Sequence, residues 1–122
     1  MKNIIMGSVL AIAAVTSLSA NAANTSICTG AGAAANGATV TASATSFVKQ
    51  TFIPKCSANV FLTGDDASAT LYKVGAASLK GRFTFGGSSA GGAVSSAGLA
   101  CATAGACAQS DANAAAAAAP DS

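Results

Sequence analysis

Four cysteines, Cys28, Cys56, Cys101 and Cys107, have the richest chemistry in this 122-residue chain. Cysteines bind metal, exchange electrons or cross-link, and spacing separates the three. Zinc sites draw on close cysteine pairs, with two to four intervening residues, or on added histidine. Here Ala-Thr-Ala-Gly-Ala separates Cys101 from Cys107, Cys28 and Cys56 lie far apart, and histidine is absent. A dithiol redox centre needs Cys-x-x-Cys, which the chain lacks. Structural disulfides are therefore expected, with no metal and no cofactor. Four cysteines allow three pairings. The short, glycine-containing segment after Cys101 can fold back on itself, which favours Cys101–Cys107 with Cys28–Cys56. Loop-closure entropy assigns the smaller ring about 2.4 kcal/mol and the larger about 3.6 kcal/mol.

Several motifs match in letters and fail in chemistry. Gly87-Ser88-Ser89-Ala90-Gly91 fits the G-x-S-x-G nucleophile elbow. That serine needs a base, usually histidine, so the segment reads as a Gly/Ser link. Ser46-Phe47-Val48-Lys49 fits S-x-x-K, a pair that works from one helix face. On a strand it puts Ser46 and Lys49 on opposite faces. Gly30-Ala31-Gly32-Ala33-Ala34-Ala35 approximates a dinucleotide-binding glycine loop but has too little chain before it for the strand it requires. Asp65-Asp66 falls short of the six to eight oxygens that calcium takes and reads as a solvated turn.

The wider inventory points the same way. The acids are Asp65, Asp66, Asp111 and Asp121, with no glutamate. General acid–base catalysis draws mainly on histidine and carboxylates, so no catalytic residue and no enzymatic role are expected. Lys49, Lys55, Lys73, Lys80 and Arg82 are dispersed, and the net charge is +2. Nucleic acid calls for a dense basic footprint, so it is not an expected partner. Charged residues are only 8% of the chain. Weak self-repulsion of this kind permits association.

The first residues read as an export signal. Met1-Lys2-Asn3 is a short positive start, Ile4 to Val15 an apolar run, and Ala20-Asn21-Ala22 a small-x-small cleavage site. The apolar run is short for a membrane span and is interrupted by Gly7 and Ser8. Cleavage after Ala22 is expected, leaving no membrane span and placing the protein in the periplasm or outside the cell. Such compartments permit disulfides.

These residues need a scaffold, and the apolar pattern supplies one. Bulky apolar residues concentrate between Val40 and Leu99. Leucine, isoleucine, valine and phenylalanine make up about a sixth of the chain after the leader, below the usual globular level of about a fifth. Residues 23–38 read as an N-terminal loop or arm, and residues 39–109 as one small β domain. Strands are expected over Thr39–Thr45, Phe47–Ile53 (ended by Pro54), Asn59–Thr63, Thr70–Val74 and Ser78–Phe85, with Gly64-Asp65-Asp66 as a turn. Gly81 is expected to mark a bulge or a close approach. Residues 86–98 read as a Gly/Ser link, Cys101–Cys107 as a loop, and residues 110–122 as an Ala-rich disordered tail. A helix capped by Ser110 or Asp111 would be marginal alone at that length.

The resulting expectation is a mainly β fold: a small antiparallel sheet or sandwich of about five strands over residues 39–85, disulfide-stapled, with flexible Ala/Gly/Ser-rich ends. The make-up resembles that of small exported bacterial proteins. The expected role is structural or adhesive, in the envelope or outside the cell, with self-association or a protein partner met through strand edges. The alternative is a soluble periplasmic binding or inhibitor module, with Phe47, Phe52, Phe61 and Tyr72 as its contact patch.

Overall fold

The computed structural model describes residues 24–121. The expected leader and its cleavage residues, Ala20 and Ala22, lie outside the described residues. Seven strands and one helix follow in order: β1 Thr25–Thr29, β2 Ala35–Asn36, β3 Lys55–Cys56, β4 Val60–Ser68, β5 Leu71–Ser78, β6 Phe83–Ser88, β7 Ser95–Ala100 and α1 Gln109–Ala117. Five strands form one antiparallel sheet in the order β1-β4-β5-β6-β7, while β2 and β3 pair separately. The fold is therefore mainly β with a five-stranded sheet, as the pattern of residues predicts.

The two central strands form a hairpin longer than expected. β4 continues through Gly64-Asp65-Asp66 to Ser68, with a register irregularity against β5 between Asp65 and Ser68, so the expected turn there is wrong. Its true turn is Ala69-Thr70, where the Thr70 N–H donates to Ser68 Oγ at 3.3 Å. Asp65 stands opposite Lys73 in the ladder register, while the Lys73 ammonium pairs with Asp121. The expected strand Ser78–Phe85 divides at the other end: Ser78 closes β5, and the Gly81 N–H donates to the Ser78 carbonyl at 2.7 Å to turn the chain. A Cβ on Gly81 would stand 3.1 Å from that carbonyl, so the expected close approach lies within this turn.

The ends of the chain differ most from the sequence reading. Residues 23–38, read as an arm, hold β1 and β2. Thr39–Thr45 and Phe47–Ile53, read as full strands, contribute only the single bridge Val40–Phe52. The link over 86–98 contains the end of β6 and the start of β7, and its loop part is confined to the positive-φ pair Gly91 and Gly92 and their neighbours. Periodicity undervalued β1 and β7 because Ser, Thr, Ala and Gly carry little hydrophobic signal, while ladder hydrogen bonds are indifferent to side chain.

The tail read as disordered is helical, and its cap is Ala108 rather than Ser110 or Asp111. Asp111 acts from the first turn instead, its carboxylate accepting the Ala108 N–H at 2.7 Å and the Ala102 N–H at 3.0 Å. The negative charge there also suits the helix dipole. Ala112, Ala115, Ala116 and Ala119 recur at helical spacing and are buried against the sheet. The sheet face beneath them is built of small residues. A Cβ on Gly75 would lie 2.0 Å from the Ala112 carbonyl oxygen, and one on Gly86 would lie 2.7 Å from that of Ala115. Helix backbone thus rests directly on sheet backbone. A nine-residue helix that is marginal in water becomes stable through this docking.

Candidate functional site

The four cysteines join as Cys28–Cys56 and Cys101–Cys107, with Cα separations of 5.6 and 5.0 Å. Each bond holds a different part of the sheet. Cys28 lies on β1 and Cys56 on β3, so the first bond ties the chain after β2 to the edge of the sheet. The second closes the loop between β7 and α1, with both sulfurs buried beside Phe61, Ala77 and Ala112. Cys101, Cys107 and Asp111 also bring their donor atoms within 4.8 Å of one another. The sulfurs are bonded to each other and both Asp111 oxygens accept backbone N–H groups. The group therefore works as a staple between loop and helix start.

The expected aromatic patch divides in two. Phe47 and Tyr72 meet, with ring centroids 6.1 Å apart and planes tilted by 37°. Phe47 is placed by Asp66, whose carboxylate accepts the Phe47 N–H at 2.7 Å and the Val48 N–H at 3.3 Å. Tyr72 crosses its neighbouring strand so closely that a Cβ on Gly64 would touch its hydroxyl. Burial first, then the charges of Asp66 and Asp65, push the Tyr72 phenol above its ordinary value of 10.0 and keep it neutral. Phe52 is exposed beyond its bridge to Val40. Phe61 does not join them: it is 9% exposed, on the helix side of the sheet, with its ring against Gly30. Strand alternation separates it from Tyr72, since Phe61 pairs with Ala77, five positions along β5 from Tyr72 and so on the other face.

The other motif residues engage backbone. Ser89 Oγ accepts the Tyr72 N–H at 2.9 Å and donates to the Thr70 carbonyl at 3.4 Å, closing a turn. Ser46 Oγ donates to the Ser43 carbonyl and Lys49 Nζ to that of Ala44.

The sequence reading passed over a second surface. Along β6, Thr84 and Gly86 are buried under α1, so Phe83 and Phe85 point to the opposite face, where they are 54% and 50% exposed. Over β1 and β4 that opposite face is covered: Val40 and Val48 from the 37–56 segment pack on Ile27, Cys28 and Leu62. Toward β6 and β7 no such cover exists among the described residues, and Val94, beside Gly87, is exposed there as well. A shallow hollow lined by Arg82, Phe83, Ala100, Cys101, Ala104 and Gly105 ends this flank. One signal for it was present in the sequence. No charged residue occurs between Arg82 and Asp111. An apolar flank of this kind can hold a protein surface by area and backbone hydrogen bonds.

No family model, no curated protein and no solved structure matches this chain.

Proposed function

We propose that this is an exported, non-enzymatic structural protein of the envelope or cell exterior that acts by self-association. The exposed pair Phe83 and Phe85, in a stretch with no charged residue between Arg82 and Asp111, carries this reading. Aromatic rings dominate the energetics of protein contacts, and bare apolar patches on soluble proteins usually mark interaction sites. The export part rests on the leader-like residues 1–22, and two closed disulfides suit an oxidising compartment. The non-catalytic part rests on a chain without histidine or glutamate.

Light scattering across a concentration series, with electron microscopy of the same samples, tests the association. Oligomers or fibres that dissociate in the Phe83→Ser, Phe85→Ser double variant support the reading. A monomer at every concentration overturns it. Intact mass of protein from envelope and medium tests export, through the loss of residues 1–22.

A second reading, an exported binding or inhibitor module, is favoured by the Phe47–Tyr72 pair beside exposed Phe52. It predicts a monomer that retains one partner in stoichiometric amount.

A further inference from the structure

We propose that Asn36-Gly37 is a deamidation site whose reactivity is gated by the neighbouring Cys28–Cys56 bond. The inference is independent of self-association. Asparagine is a chemically labile residue. It is most labile before glycine, because glycine has no side chain to shield the next backbone nitrogen. Glycine is required at position 37 for a different reason. A Cβ there would lie 2.8 Å from the Ile27 carbonyl oxygen and 2.9 Å from Cys56 Sγ, so the Gly37 backbone rests directly against the staple. Packing around the disulfide thus demands the one residue that makes Asn36 most reactive.

The reaction is a cyclisation followed by hydrolysis. The Gly37 nitrogen gives its proton to hydroxide and attacks Asn36 Cγ. The new C–N bond closes a succinimide, the Cγ–Nδ2 bond breaks, and ammonia leaves with a proton from water. Water then opens the ring at either carbonyl, giving aspartate or isoaspartate. Asn36 is exposed, so water and hydroxide reach it.

Three contacts oppose the attack in the folded protein. The Gly37 N–H donates to the Pro54 carbonyl at 2.8 Å. Asn36 is held extended on β2, opposite Lys55 of β3. Lys55 Nζ donates to Asn36 Oδ1 and fixes the side chain toward its own strand. Ring closure has to free the nitrogen and rotate the backbone, so it proceeds through local opening of β2–β3. A pairing this short holds little stability alone. Cys56 belongs to it, facing Ala35, and the bond to Cys28 fastens it to the main sheet. The staple therefore sets how often the site opens. An isoaspartate would carry its side-chain carbon into the main chain and break the β2–β3 register, so the loosening would become permanent.

Peptide mapping that separates aspartate from isoaspartate, on the whole protein held at mildly alkaline pH, tests this. The Cys28→Ala, Cys56→Ala double variant should convert Asn36 at least about tenfold faster than the disulfide-closed protein, since the rate follows the population of the open segment. The Cys101→Ala, Cys107→Ala variant loses the staple between β7 and α1 and should convert at the wild-type rate. Equal acceleration in both variants, or none in the first, overturns the gate. Amide exchange at Gly37 checks it without any substitution: exchange at least about tenfold slower than in the denatured chain is expected, and an unprotected Gly37 overturns the proposal.

Discussion

The two edges of the sheet are managed in opposite ways. β1 is closed three times over: by the Ala38 N–H on the Ile27 carbonyl, by the Cys28–Cys56 bond, and by Val40 and Val48 packed across its outer face. β7 has β6 on one side and no strand on the other among the described residues. Both strands are uncharged, so composition does not distinguish them. The difference lies in the 37–56 segment, which returns to β1 and does not reach β7. An edge is therefore covered or left open by what the rest of the chain lays against it, and not by its own residues alone.

Breaking the closed edge should have the largest effect. Replacing Cys28 and Cys56 together by alanine releases the returning segment and should cost about 3.6 kcal/mol by loop-closure entropy. A domain of this size should then melt at least about 10 °C lower, which calorimetry reads. The equivalent change at Cys101 and Cys107 should cost about 2.4 kcal/mol, and a reversed ranking would show that the open flank depends more on its staple.

The helix that spans the middle comes next. Gly75→Ala puts a methyl group into the backbone of α1 and should cost about 3 kcal/mol, the upper part of the overpacking range. Denaturant unfolding measures the loss. A neutral outcome would mean that α1 is not docked on the sheet.

Asp66→Asn sharpens the comparison on the closed side, since Asp66 fastens the Phe47 end of the covering segment. Weakening two charge-assisted bonds should cost about 1–2 kcal/mol. Tyr72 is the only tyrosine, so its ultraviolet titration reports the same region. Its midpoint should lie above 10.0 in the native protein and fall toward that value in Asp66→Asn. The sign for stability follows from linkage. Above pH 10.0 the unfolded phenol releases its proton before the folded one does. The folded state then binds more protons, and stability falls as pH rises through that window.

The smallest effect belongs to the ion pair between Lys73 and Asp121. Asp121 is 76% exposed in its side chain, so water and salt screen the pair. Asp121→Asn should change stability by no more than about 0.5 kcal/mol, in thermal melts at low and high salt.

The hairpin strands were legible because Val60-Phe61-Leu62 and Leu71-Tyr72 carry strong β signal, and the short Cys101–Cys107 ring was legible from spacing. Asp66 was misread as a turn residue because its partners, the Phe47 and Val48 N–H groups, lie far off in sequence. Phe61 was misplaced in a patch with Tyr72 because strand faces were assigned before the register was known. The run from Gly86 to Ala119 was the hardest part. Small residues there support strand, helix or disorder equally well when read locally.

The sequence by itself determined the chemistry that is present: four sulfurs, few charges, no histidine or glutamate, and aromatic residues confined to the middle of the chain. It also determined that strands would dominate, through alternating bulky residues. Tertiary structure decided the rest. Alanines 112, 115 and 116 become a buried helix only because Gly75 and Gly86 leave room for backbone to meet backbone. Phe83 and Phe85 become an open surface only because α1 claims the other face of β6 and the 37–56 segment stops short of it. Small side chains hold little free energy individually, so their conformation is set by the shape of the partner they pack against.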